Sequence, residues 1–306
     1  MPRPEIPDPI PADAVRGHWV ARWLPPGWQP YARLSRLDRP IGTWLLLLPG
    51  WWAIALARPD GQALDYLMLL LFGIGAIVMR GAGCTFNDIA DRDFDGRVER
   101  TRLRPIPAGQ VTVRQAWIWL VVQSLIGFVI LIQMNRLAIL LGVASLLLVA
   151  IYPFMKRITW WPQFFLGLAF NWGAVLGYAA IAGFLDWTAI VLYAAGIAWT
   201  LGYDTIYALQ DKEDDALIGV KSTARLFGAR SQLWIAGFYD LTLIGLAAVG
   251  WMAGLGWPYW VCLGIAFVHF AWQVLTLRPD DSADCLTKFR ANRDLGLIVF
   301  TGFLLG

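Results

Sequence analysis

Apolar runs, each about as long as a lipid bilayer is thick, recur from Ile41 to the end of the chain, with short polar stretches between them. A helix that crosses a membrane needs about 20 mainly apolar residues. By that measure the pattern predicts nine helices: Ile41–Ala57, Leu64–Cys84, Ala116–Gln133, Leu137–Met155, Pro162–Phe184, Trp187–Leu209, Trp234–Trp251, Trp257–Leu277 and Leu295–Gly306. The last is short for a full span. The reading is all-α: a polytopic membrane domain over residues 41–306, preceded by a cytoplasmic or interfacial segment over residues 1–40. That segment has no long apolar core, so no cleavable leader is expected. Its "WVARWLPPGW" is basic and rich in tryptophan, which suits a stretch lying at the membrane surface.

Composition agrees. Of 306 residues 58% are hydrophobic, and 18 are tryptophan, too apolar for the two soluble domains that length alone would allow. Trp257, Tyr259 and Trp260 suit an interfacial aromatic belt. The formal net charge of +3 says less than where the cations lie. Arg33, Arg36 and Arg39 precede the first helix, and Arg92 to Arg114 follow the second. Lys156 and Arg157 follow the fourth, Lys212 to Arg230 the sixth, and Arg278 to Arg293 the eighth. Alternating spans put all of these on one side and leave only Arg58 and Arg136 on the other, which predicts a cytoplasmic N-terminus. Cys84, Cys262 and Cys285 are scattered and show neither metal spacing nor a disulfide framework.

Two predicted helices end in carboxylates on the cation-rich side. The second ends in "NDIADRDFD", and Asn87, Asp91 and Asp95 fall at i, i+4 and i+8. The sixth runs into "YDTIYALQDKEDDALIGVKST", and Asp204, Asp211 and Asp215 fall at i, i+7 and i+11. On a continuous helix each set shares a face. Each cluster is followed by a short loop, a cation and a hydroxyl: Arg100 and Thr101 in one case, Lys221, Ser222 and Thr223 in the other. Crowded carboxylates repel and are costly beside hydrocarbon without a counter-charge. Such oxygen ligands suit Mg²⁺, which takes a few carboxylates together with phosphate oxygens and water. Nearby Arg and Lys suit the remaining phosphate charge. The acids are therefore expected to hold Mg²⁺, and the Mg²⁺ a diphosphate. A plain solvated rim would explain one such cluster well, and a matched pair much less well.

These residues resemble a known family. "NDIADRDFD" fits an NDxxDxxxD pattern and "DKEDD" a DxxxD pattern, both similar to those of the UbiA superfamily of intramembrane prenyltransferases. "RLDRPIGTWLLLLPGWWA", "RTRLRPIPAG", "YPFMKRITWWPQ" and "GVKSTARLFG" look most like the members that prenylate 4-hydroxybenzoate for ubiquinone. The resemblance covers about residues 33–228 strongly. It implies a bundle around a central cavity open to lipid, Mg²⁺ as cofactor, a polyprenyl diphosphate donor and 4-hydroxybenzoate as acceptor. It also implies a bacterial inner membrane or its mitochondrial equivalent. By motif, the metal residues would be Asn87, Asp91, Asp211 and Asp215, with Asp95 beside them, and Asp88 and Asp204 would be close supporting groups.

The chemistry assigns further roles. Cations where charge develops on the leaving diphosphate would be Lys156, Arg157, Arg92, Arg100 and Lys221. A carboxylate must remove a proton after ring attack; Asp204, deeper than Asp211, is the first candidate and Asp88 another. Arg36 or Arg39 would meet the acceptor's carboxylate. Arg80, on the face of Asn87, is either a cavity cation or a counter-ion to the acids. Asn171 and His269 are expected to make interhelical or buried hydrogen bonds, Asp240 needs a partner, and Gly42, Gly83, Gly167, Gly173 and Gly177 are expected at close helix contacts. No Walker, Rossmann or Ser-His-Asp pattern stands out, nothing suggests nucleic acid, and no obligate protein partner is evident. The remaining alternatives are a naphthoate, homogentisate or haem-directed prenyltransferase and, from another class, an ion-coupled transporter.

Overall fold

A computed structural model describes residues 18–59, 61–95, 101–217 and 219–306. Among these the regular structure is entirely helical. The elements are α1 (Trp19–Trp23), α2 (Gln29–Leu34), α3 (Ile41–Leu56), α4 (Tyr66–Asp95), α5 (Val113–Leu131), α6 (Arg136–Ile158), α7 (Pro162–Phe170), α8 (Trp172–Ala182), α9 (Trp187–Leu209), α10 (Lys212–Leu217), α11 (Thr223–Phe227), α12 (Ser231–Met252), α13 (Trp257–Thr276) and α14 (Ser282–Leu305), with a 3₁₀ turn at Gly228–Arg230 before α12. Seven segments are long and apolar enough to cross a membrane, and α3 is a shorter apolar helix.

The chain divides into two compact units. The first comprises the residues up to Thr43 with Ile74–Ile130, and the second Trp44–Gly73 with Leu131–Gly306. In the first unit Leu34, Ile89, Ile106, Val111 and Ala116 form a buried core, flanked by Tyr31, Trp119 and Leu120. Ile89 anchors the polar end of α4 in that core. A chain of buried hydrogen bonds runs beside it. Trp119 Nε1 donates to Ser35 Oγ at 2.8 Å, Ser35 Oγ to Gln123 Oε1 at 3.0 Å, and Gln123 Nε2 to Thr85 Oγ1 at 3.4 Å.

In the second unit α3 lies against α8 with almost no clearance. A Cβ on Gly177 would stand 2.7 Å from the Gly50 carbonyl oxygen, and one on Gly173 would stand 3.3 Å from the Gly50 nitrogen. Small residues allow such approach where no hydrophobic effect drives helices together. A buried polar network joins α9, α12, α13 and α14: Trp199 donates to Asn292, Asn292 and Tyr239 donate to Gln273, and Gln273 pairs with His269.

The helix limits differ from the sequence reading in four places. The predicted apolar span Leu64–Cys84 belongs to a longer helix that runs on to Asp95 and carries Asn87 and Asp91, as their spacing implied. The predicted Pro162–Phe184 helix is interrupted at Asn171, where the backbone and side-chain nitrogens both donate to the Gly167 carbonyl. The last helix starts at Ser282, because Asp281 caps it by accepting from the Ala283 and Asp284 nitrogens. At 24 residues it is about 36 Å long, and charged residues such as Lys288 hid its first half. Lys288 is buried, pairs with Asp284 at 3.2 Å and lies over the Trp272 ring at 4.2 Å.

The fourth difference concerns the second acidic cluster. Helix α9 ends at Leu209, so Asp204, Asp211 and Asp215 do not share one continuous helical face. The Gln210 backbone and side chain both donate to the Tyr207 carbonyl, and the Asp211 nitrogen turns to Ala208. Bonds to i−3 tighten the last turn in this way. Two residues also depart from expectation. Asp240 lies exposed on α12, and a Cβ on Gly83 would meet nothing within 4 Å.

Candidate active site

In the first unit the polar end of α4 carries Asn87, Asp88, Asp91 and Arg92. Asp88 is fully buried and Asp91 is 1% exposed, while Asn87 is half-buried. Asp88 Oδ1 accepts from Arg36 Nη2 at 2.6 Å and from Arg104 Nη1 at 3.3 Å. Arg36 Nη1 also donates to the Arg33 carbonyl at 3.1 Å. Burial opposes the Arg36 charge, but the Asp88 carboxylate outweighs it together with Cys84 and Asp38, and the guanidinium is held above its ordinary value. Arg39 Nε donates to Asp38 Oδ2 at 3.1 Å. Burial pushes the Asp38 carboxyl up, against the pull of Arg36. The two arginines expected to meet an acceptor therefore already face Asp88 and Asp38.

Arg92 reaches back to the Ile89 carbonyl at 3.1 Å. The side chain of Asp95, and Arg100 altogether, lie outside the described residues. Arg80 lies two turns before Asn87. Its Nε and Nη1 are buried with no hydrogen-bond partner among the described residues, and its guanidinium occupies the space a Cβ on Gly42 would need. A buried guanidinium without an acceptor is costly.

The second unit gathers several expected residues. The Lys221 nitrogen donates to the Lys156 carbonyl at 2.9 Å, and Lys221 Nζ to the Ile158 carbonyl at 3.0 Å. This joins the basic end of α6, with Lys156 and Arg157, to the loop before α11. Arg225 donates to the Asp215 and Val220 carbonyls and lies 5.3 Å from the Trp160 ring centroid. Ser222 caps α11 by accepting from the Arg225 nitrogen. Thr205 and Thr223 share a hydrogen bond at 2.7 Å, and Gln163 accepts from the Thr223 nitrogen at 3.1 Å. Thr205, next to Asp204 on α9, thus ties that turn of the helix to the "KST" turn, and Asp204 itself is half-buried. Asn171 donates to Thr200 at 2.7 Å, an interhelical bond.

Asp211 and Asp215 are half-buried at the α9–α10 junction. Among the described residues, no group of three or more His, Cys, Asp or Glu side chains could by itself hold a metal ion. That is compatible with Mg²⁺, which is commonly held by one or two carboxylates while substrate phosphates and water complete its shell. The carboxylate and amide oxygens of Asn87, Asp91, Asp211 and Asp215 are the donor type it prefers.

Sequence reasoning did not single out Ser35, Gln123, Thr85 or Gln163. Gln123 and Gln163 sit in apolar runs, where a lone amide is the available signal. Ser35 and Thr85 gave none.

The UbiA prenyltransferase family model matches residues 46–298. The chain is 52% identical over 278 residues to the mitochondrial 4-hydroxybenzoate polyprenyltransferase of Aedes aegypti, covering 90% of this chain and 63% of that protein. It is also 52% identical to the human protein of the same description, covering 91% of this chain and 75% of the relative. Among solved structures, a UbiA homolog from Aeropyrum pernix K1 superposes with a TM-score of 0.72 at 24% identity, covering 85% of this chain and 96% of that one. A UbiA homolog from Archaeoglobus fulgidus bound to GPP and Mg²⁺ gives 0.69 at 20% identity, covering 90% and 99%.

Proposed function

The chain belongs to the UbiA prenyltransferase family, and from that premise we propose that it transfers a polyprenyl group from polyprenyl diphosphate to the ring of 4-hydroxybenzoate, in ubiquinone synthesis. The observation that carries this reading is identity of about half to 4-hydroxybenzoate polyprenyltransferases over nine-tenths of the chain. The membrane is an inner one, with the N-terminus on the cation-rich cytoplasmic side.

Asn87, Asp91 and Asp95 from the first motif, with Asp211 and Asp215 from the second, are the proposed metal residues. Bound Mg²⁺ would offset the negative charge of the diphosphate as it leaves. Lys156, Arg157 and Lys221, held together by the Lys221–Lys156 bond, stabilise the same charge, with Arg92 and Arg100 as further cations. The allylic C–O bond breaks, diphosphate departs, and the allylic cation is attacked by the ring carbon ortho to the phenol hydroxyl. Apolar helices keep water from quenching that cation. Asp204 takes the proton released as the ring regains aromaticity. Since Arg36 and Arg39 already face carboxylates, Arg80, with two buried nitrogens lacking acceptors, is the better partner for the acceptor's carboxylate.

The test is product mass. Purified protein with Mg²⁺, geranyl diphosphate and 4-hydroxybenzoate should yield geranyl-4-hydroxybenzoate and diphosphate. Product only with a naphthoate or homogentisate, or none at all, would remove the assignment.

A further inference from the structure

The turn that ends α2 has an unusual occupant. The Leu37 nitrogen donates to the Ala32 carbonyl and the Arg36 nitrogen to the Arg33 carbonyl, each at 3.0 Å. That is the paired bonding of a Schellman helix end, which places the residue at Arg36 in the left-handed region and usually selects glycine. Here φ is +56° at Arg36, the one non-glycine residue with positive φ among the described residues. An L residue is strained there. What distinguishes arginine from glycine at this point is its guanidinium, and that group reaches Asp88 at 2.6 Å, across 52 positions of sequence.

We propose that Arg36 and Asp88 form a positioning clamp that sets how α4 presents Asn87 and Asp91 to the metal and the diphosphate. The proposal rests on the prenyltransferase reading. Asn87 and Asp91, at i and i+4, lie side by side on the helix surface, and Asp88 lies beside them in the same turn. Fixing Asp88 therefore fixes the rotation of that turn about the helix axis. Arg104 holds the same Oδ1 from the loop that follows α4, and Ile89 holds the adjoining face in the core. With Oδ1 engaged by two arginines and no part of the residue exposed, Asp88 is a positioning residue that acts through its neighbours, although its Oδ2 is buried with no hydrogen-bond partner among the described residues. Arg36, with one nitrogen on Asp88 and another on the Arg33 carbonyl, is likewise a positioning residue.

The test uses full-length protein in detergent and an inert geranyl thiolodiphosphate, whose binding is titrated against Mg²⁺ by calorimetry. Variants are Arg36→Gly, Arg36→Lys, Asp88→Asn and the Arg36→Gly/Asp88→Asn double. Arg36→Gly deletes the guanidinium while relaxing the backbone, so the turn is preserved. The clamp predicts that Arg36→Gly and Asp88→Asn each raise the half-saturating Mg²⁺ concentration about tenfold, as loss of groups that orient metal ligands does. The double variant should be no worse than Asp88→Asn alone, because the Arg36 interaction is already lost when Asp88 is changed. Arg36→Lys should recover part of the loss, and the KM for 4-hydroxybenzoate should stay within about twofold by the same reasoning.

A selective rise in the acceptor KM with an unchanged Mg²⁺ requirement overturns the clamp and returns Arg36 to acceptor binding. So does a double variant whose effects multiply. Should Arg36→Gly fail to fold, Arg36→Lys and Asp88→Asn give the same reading. If wild-type protein binds the donor with Mg²⁺ but does not prenylate 4-hydroxybenzoate, only the acceptor assignment fails and the clamp result still stands. Absence of Mg²⁺-dependent donor binding by wild type overturns both.

Discussion

Arg80 gives the sharpest expectation for a single side chain. Arg80→Met keeps the apolar stem and removes a guanidinium whose Nε and Nη1 are buried without acceptors. Loss of a charge-assisted hydrogen bond to a carboxylate should raise the KM for 4-hydroxybenzoate at least about tenfold and leave the donor KM unchanged. Steady-state kinetics with each substrate varied checks this, and a donor KM that rises instead would move Arg80 to the diphosphate. A charged residue inside an apolar run was visible in the sequence. The pairing of Arg36 with Asp88 was not, because positive φ at a non-glycine residue leaves no mark on composition or spacing. Arg36 and Asp88 both read as substrate-facing groups until the structure showed each facing the other. Ser35 was equally hidden, since a hydroxyl flanked by arginines looks like any loop serine.

Among the helices, existence was legible and limits were less so. Apolar periodicity found the spans, but charged ends misled it. The apolar span drawn within α4 stopped at Cys84, although the spacing of Asn87, Asp91 and Asp95 carried the helix on through its carboxylates, and α14 was begun late because Lys288, Arg290, Arg293 and Asp294 interrupt the apolar run. The interruption at Asn171 follows from an amide competing for a backbone carbonyl, an effect that hydropathy does not weigh. The expected close packing of glycines was borne out at Gly173 and Gly177 and failed at Gly83. This leads to a comparison of two glycines, both within helices. Gly→Ala in an exposed helix interior stabilises by about 1 kcal/mol. Gly237→Ala should follow that rule, since a Cβ there meets nothing within 4 Å. Gly177→Ala should reverse it, because the new carbon would be 2.7 Å from a backbone oxygen and overpacking costs about 1–3 kcal/mol. Melting temperatures in one detergent should move in opposite directions. Equal shifts would mean that α3 and α8 yield freely.

For the whole chain, the expectation concerns two distant stretches serving one chemistry. Asp91→Ala and Asp211→Ala should each abolish Mg²⁺-dependent product while the protein still inserts and runs as a single species. Asp204→Asn should bind donor and Mg²⁺ normally and lose turnover about 10²–10⁴-fold, as removal of a proton acceptor does. Normal turnover in both alanine variants would dismiss the metal assignment, and weakened donor binding in Asp204→Asn would dismiss its role as base. Both acidic motifs were readable from spacing, though the break at Gln210 shows that a shared face drawn through Asp204, Asp211 and Asp215 was too simple. The main-chain bond from Lys221 to Lys156 has a consequence for how the donor is caught. Two basic stretches 65 positions apart are already fastened together before any anion arrives. On the proposed assignment of these residues to the diphosphate, an incoming headgroup would meet cations whose main chains are already joined, which would lower the ordering entropy lost on capture and the reorganisation needed as the leaving group gains charge.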